Sequence, residues 1–80
     1  MSFGQNLQLL RHMRRGMTQE ELADRMGVSR QTVSKWETDL ALPEMDKVMT
    51  LCDLFSCSMD QLVREDMTAF SEAYSDVRME

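Results

Sequence analysis

Apolar positions along this chain fall at helical intervals, and polar punctuation separates one helical run from the next. The clearest start is MTQEEL. Thr18 can cap a helix while Glu21, three residues on, returns the bond, and Met17 and Leu22 stand where a hydrophobic staple needs them. That helix predicts Leu22, Ala23 and Met26 on one face, and Gly27 ends it. Only Val28 separates the glycine from Ser29, the next cap, with Val28 placed to staple against Val33. Two helices joined by so short a glycine-containing turn make a helix-turn-helix.

The flanks follow the same logic. A helix from Asn6 to about Arg15 would turn Leu7, Leu10 and Met13 inward. TDLAL reads as a loop. Pro43 stands where a helix start tolerates it, and Met45, Val48, Met49, Cys52 and Phe55 then follow at core-facing intervals. A short fifth helix starts at Ser58, with Gln61 completing a capping box and Cys57 and Leu62 placed as staple. No sustained alternation or Asn-Gly turn signals a strand. The expected fold is therefore all-α, five helices over residues 1–65. Residues 66–80 form an acidic amphipathic tail, a linker or dimerisation segment. Its Met67, Phe70, Tyr74 and Val77 fit either a sixth helix or a disordered end.

Composition adds three things. Nine methionines in 80 residues suggest a Met-rich core, since that side chain fills irregular gaps. There is neither a signal peptide nor an apolar run of membrane-spanning length, so the expected setting is cytoplasmic. Cys52 and Cys57 have no second pair and only one histidine in the chain, which is no zinc pattern; both read as inert small hydrophobes. His12 reads as a solvated surface residue.

Charge is divided. The chain carries −5 overall, yet residues 1–37 sum to +2 and residues 38–80 to −7. Within the basic half, the Ser29 helix has no acid on its outer face until Glu37. On a wheel of about 100° per residue, Val33 and Trp36 mark its buried side. Gln31, Ser34, Lys35 and Thr38 lie opposite, with Arg30 between. Such a helix suits a DNA major groove, where Arg can pair with guanine and Gln with adenine.

These residues carry a family resemblance. MTQEELADRMGVSRQTVSKWE, followed by LPEMDKVMTLCDLFSCSMDQLV, resembles the phage-repressor and Cro type of helix-turn-helix domain, the xenobiotic-response-element family of bacterial and phage regulators. The likeness covers Gln5 to Val63. It implies a five-helix domain that binds operator DNA as a homodimer with its third helix in the major groove. It also implies that Gln19 clamps a phosphate while touching that helix, and that Glu37 pairs with Arg11. The contact set so implied is Gln19, Arg30, Gln31, Ser34 and Lys35; Thr18, Ser29, Thr32 and Thr38 beside them complete the expected DNA-binding site, with helix-starting amides near Thr18 meeting phosphate.

One departure stands out: between Arg11 and Gly16 there is a residue more than the usual spacing, which predicts an extended or kinked end to the first helix. Arg14 and Arg15 then either touch phosphate or solvate that helix end.

The expected function is a sequence-specific transcriptional regulator, a repressor acting on a near-palindromic operator. A C-terminal effector or oligomerisation module outside this chain would suit it. The alternative is a protein-interaction module, such as an antitoxin or adaptor using the acidic half. Catalytic residues, metal ligands and cofactors are expected to be none: no glycine-rich phosphate loop and no nucleophile with a partner base occur.

Overall fold

The structure is a computed structural model whose described residues run from 2 to 63. Among them the chain forms five helices and no strand: α1 (Phe3–Met13), α2 (Gln19–Met26), α3 (Arg30–Glu37), α4 (Met45–Phe55) and α5 (Met59–Val63). The expected tail reading, sixth helix or disorder, concerns residues outside the described ones.

The first helix begins earlier than its apolar spacing predicts. Ser2 caps it, accepting from the Gln5 amide, and the Gln5 side chain accepts from the Ser2 amide. This is a capping box of the Ser-x-x-Gln kind. It was hidden because Gly4, a poor helix former, follows at once. A Cβ at Gly4 would lie 2.4 Å from the Glu37 carbonyl oxygen and 2.7 Å from that of Trp36. The glycine therefore lets the start of α1 lie directly on the end of α3.

The other end of α1 corrects a second expectation. The helix stops at Met13, neither extended nor kinked. Arg15 and Gly16 follow in left-handed conformations, at φ 55° and 66°. The additional residue is absorbed by that turn, with Gly16 N–H returning to the His12 carbonyl.

Both predicted starts of the helix-turn-helix hold. Thr18 and Glu21 form the reciprocal box, and Ser29 accepts from the Thr32 amide. Gly27 ends α2 at φ 68°, a conformation other residues adopt only with strain. The C-terminus of α3 uses Asp39 at φ 61° in the same role, with the Leu40 amide donating back to Lys35 O at 2.9 Å.

In the second half, Pro43 is two residues short of the helix. Glu44 is the N-cap, so the proline precedes α4 instead of opening it. The buried face of α4 is Val48, Leu51 and Phe55. Met45 and Met49, expected inside, are 61% and 57% exposed, and Cys52 is half-buried. The stripe is turned toward Leu51, which is fully buried. The fifth helix has its Ser58–Gln61 box, and Leu62 is fully buried.

The core gathers Phe3, Leu7 and Leu10 of α1, Leu22 and Met26 of α2, Val33 and Trp36 of α3, and Val48, Leu51, Phe55 and Leu62 behind them. It is built on leucines and aromatics. Among the described methionines only Met17 and Met26 are buried, so a Met-rich core is not what forms. Three polar ties close the assembly. Buried Asn6 donates to Leu62 O at 2.9 Å, Lys47 to Met26 O at 3.2 Å, and Arg14 to Leu54 O. Arg14 thus serves the C-terminal end of α4, where its charge faces the negative pole of that helix.

Candidate nucleic-acid interface

The third helix is held from behind by Val33, with no exposed surface, and by Trp36 at 4%. Both lie in the core, which confirms Trp36 as packing. The opposite side carries Gln31 and Lys35, both exposed, with Ser34 half-buried between them. These three side chains make no hydrogen bond inside the molecule among the described residues. Their donors and acceptors are therefore unspent.

The other six predicted contact residues are already engaged. Thr18 Oγ1 accepts from Glu21 N at 3.0 Å, and Ser29 Oγ and Thr32 Oγ1 share a hydrogen bond of 3.0 Å. Thr38 Oγ1 donates to Ser34 O at 2.9 Å, so its hydroxyl is turned back along the helix. The amide of Gln19 donates to Glu37 Oε1 at 3.0 Å, while its carbonyl oxygen faces Arg30 Nη1 at 3.5 Å, a loose contact.

Behind this lies the buried pair expected from the resemblance. Arg11 Nε and Nη2 donate to the two carboxylate oxygens of Glu37 at 2.6 and 3.1 Å, and Nη1 reaches Met17 O at 2.7 Å. A fork-to-fork pair fixes direction as well as distance. One chain of polar contacts thus runs Arg11, Glu37, Gln19, Arg30, joining α1, α3 and α2.

The electrostatic consequence answers why an acid stands on this helix at all. The Glu37 side chain is 2% exposed, and its charge is matched by Arg11. The next acid, Asp39, is turned toward α1, accepting from Ser2 Oγ at 2.6 Å and Gly4 N at 2.9 Å. The Ser2 hydroxyl first, and then the Gly4 amide, hold its carboxyl below the usual carboxylate range. Both acids are thereby withdrawn from the face that Gln31, Ser34 and Lys35 present.

Sequence reasoning missed the role of Asp39 and Gly4. Their partners are thirty-odd positions away, and no local pattern announces them. Only the Ser2–Gln5 spacing was available as a clue. At the start of α2, the Thr18 amide and then the Thr18 hydroxyl lower the carboxyl of Glu21. That carboxylate occupies part of the helix start proposed for phosphate, leaving the first-turn amides of Gln19 and Glu20 as donors.

The two thiols stand apart from this surface. Burial pushes Cys57 up to about 11, beside Cys52, whose pKa burial also raises. Thiols so shifted are poor nucleophiles, in keeping with their reading as small hydrophobes. Among the described residues no His, Cys, Asp and Glu cluster is arranged to hold a metal ion, and no helix is long and apolar enough to cross a membrane.

Residues 7–62 match the family model described as helix-turn-helix. The chain belongs to the helix-turn-helix family. The transcriptional activator BcrR of Enterococcus faecalis is 36% identical over 73 residues, which is 90% of this chain and 35% of that protein. The transcriptional regulator ImmR of Bacillus subtilis (strain 168) is 32% identical over 66 residues, 82% of this chain and 51% of that protein. Among solved structures, the P22 c2 repressor in complex with a synthetic operator superposes with a TM-score of 0.76 at 26% identity, covering 82% of this helix-turn-helix chain and 98% of the repressor chain. This chain spans about a third and about half the length of the two curated relatives. Likeness lends no support to the interaction-module alternative, since all three carry the names of regulators or a repressor.

Proposed function

We propose that this chain is the DNA-reading unit of a transcriptional regulator, with α3 lying in the major groove. The observation that carries the reading is the outer face of α3. Gln31, Ser34 and Lys35 keep their hydrogen-bonding capacity, while Glu37 and Asp39 spend theirs internally. Base edges in the major groove offer the matching donors and acceptors.

The engaged residues take a different part. Gln19 and Arg30 sit at the edge of that face, already oriented by Glu37, and serve as phosphate contacts that set register without reading sequence. Preordering them lowers the entropy lost on binding.

A homodimer on a near-palindromic operator fits this geometry, its two α3 helices separated by about 34 Å, one duplex turn. Relatives bear the names of both an activator and a repressor. Occupation of an operator is the shared step, and repression follows wherever that operator overlaps a promoter. A bacterial cytoplasm, whether the chain is of bacterial or phage origin, is the setting that suits such a unit.

The test is selection of bound duplexes from a random pool. A short, two-fold symmetric motif bound with a steep dependence on salt is expected. Recovery of no motif, together with binding insensitive to salt, would end the proposal.

A further inference from the structure

Asp39 stands in a backbone conformation that glycine takes more readily. It follows the C-cap Thr38 at φ 61°, a left-handed position that a side chain makes costly. Two bonds close the turn there. The Asp39 amide donates to Trp36 O at 3.3 Å, and the Leu40 amide to Lys35 O at 2.9 Å. Glycine would form the same turn, as Gly27 does at the end of α2. What aspartate adds is its carboxylate. One oxygen accepts from Gly4 N at 2.9 Å, a first-turn amide that has no partner inside α1. The other accepts at 2.6 Å from Ser2 Oγ, the hydroxyl that also caps α1. A single residue thus ends one helix and helps to start another.

We propose that Asp39 is a positioning residue for base reading: by tying the turn after α3 to the first turn of α1, it sets where Lys35 stands against the groove. This rests on the operator reading of α3. Different neighbours hold the two ends of that helix. Its start is held by the short turn from α2 and by the Gln19–Arg30 contact beside Gln31. Its end is held by α1, through Gly4, the Arg11–Glu37 pair and Asp39. Gly4 and Arg11 meet the helix itself, whereas Asp39 grips the turn beyond it, whose closing bond ends on the Lys35 carbonyl. A tie beyond the end of a rod resists tilt with more leverage than one at its side. Base contacts are directional, so a shift of about 0.5 Å at Lys35 is enough to cost preference.

Asp39→Gly and Asp39→Asn separate this role from charge. Both remove the same negative charge, which alone should raise affinity for every duplex alike. Both tolerate the left-handed backbone. Asparagine can still accept from the Gly4 amide and donate to Ser2 Oγ; glycine can do neither.

The measurement is gel-shift titration of the full chain on the selected duplex and on each single mismatch of it. Thermal melting checks that every variant is folded at the assay temperature. Asp39→Asn should keep the parent's discrimination between matched and mismatched duplexes. Asp39→Gly should lower it by about 3- to 10-fold, the worth of one ordinary hydrogen bond, at positions where Lys35→Met also lowers it. Positions relaxed by Gln31→Ala should stay near the parent's values. Ser2→Gly removes one of the two bonds at small cost to the cap, and should relax the Lys35 positions by a smaller factor; it carries the test if Asp39→Gly is unfolded. A common factor for all duplexes, or a profile sharing no position with Lys35→Met, would reduce Asp39 to a stabilising contact and overturn the proposal. Equal loss of discrimination in Asp39→Asn and Asp39→Gly would overturn it too. A parent chain that selects no duplex would instead end the operator reading itself.

Discussion

Arg11 and Glu37, twenty-six positions apart, form a two-pronged buried pair that fixes α3 to α1. Both side chains are almost wholly removed from water, at 7% and 2% exposure, so neither charge is tolerable without the other. Arg11→Met should destabilise the fold by about 3–5 kcal/mol, since it strands a buried carboxylate. Arg11→Met with Glu37→Met should recover much of that loss, because two apolar side chains fill the same space without a desolvated charge. Urea unfolding of the single and double variants reads the coupling directly. Additive losses would show that the pair does not act as one unit.

The contact of Gly4 with the end of α3 makes a sharper steric test. In most helices Gly→Ala is mildly stabilising, since alanine loses less backbone entropy. Here the new methyl would meet backbone oxygens of Glu37 and Trp36, atoms held by their own helix. Gly4→Ala should instead cost about 1–3 kcal/mol, the usual penalty of overpacking. A variant as stable as the parent would mean that α1 and α3 separate without cost.

Acid should loosen the same junction and the start of α2. Asp39, held low by Ser2 and Gly4, and Glu21, held low by Thr18, both prefer the ionised form in the fold. A carboxyl whose pKa is depressed by folding adds stability that is present above its unfolded pKa. That stability is lost as pH falls through the folded value. The loss should begin near pH 4 and deepen below it. Asp39→Asn with Glu21→Gln removes both titrations, and asparagine still tolerates the left-handed backbone at position 39. The urea midpoint of the double variant should therefore fall less between neutral pH and about pH 3 than that of the parent. An unchanged acid limb would place the sensitivity elsewhere.

What the sequence made legible, and what it hid, divides along the range of the interactions. Thr18–Glu21, Ser29 and Ser58–Gln61 speak within four residues, so the starts of α2, α3 and α5 were readable. The helical wheel placed Val33 and Trp36 correctly because a short helix against a core has one inward direction. The face of α4 was misjudged because methionine and leucine score alike by periodicity, and only packing tells which is covered. Likewise the start of α1 depends on Gly4 meeting Glu37, and the roles of Arg14 and Asp39 depend on Leu54 and Ser2. Those are long-range partners. Of the interface, the outward face of α3 and the Ser29 cap were legible; the bonds made by the Thr32 and Thr38 hydroxyls were not, because a helical threonine can turn its hydroxyl to a neighbour or to solvent with no change in the sequence pattern.

That last distinction yields the most discriminating functional prediction. If Gln31 reads a base, Gln31→Ala should weaken binding to the selected duplex by about 1–3 kcal/mol and relax preference at one position of the motif. Gln19→Ala should weaken all duplexes alike, since a phosphate contact carries no sequence information. Thr38→Val supplies the control. The hydroxyl of Thr38 is bound to Ser34 O, so replacing it with a methyl of similar size should leave duplex affinity nearly unchanged. Gel-shift titration of the three variants against the selected duplex and a single-base mismatch separates these roles. Should Thr38→Val weaken binding as much as Gln31→Ala, the hydroxyl must swing out to meet DNA, and the division between spent and unspent groups on α3 fails.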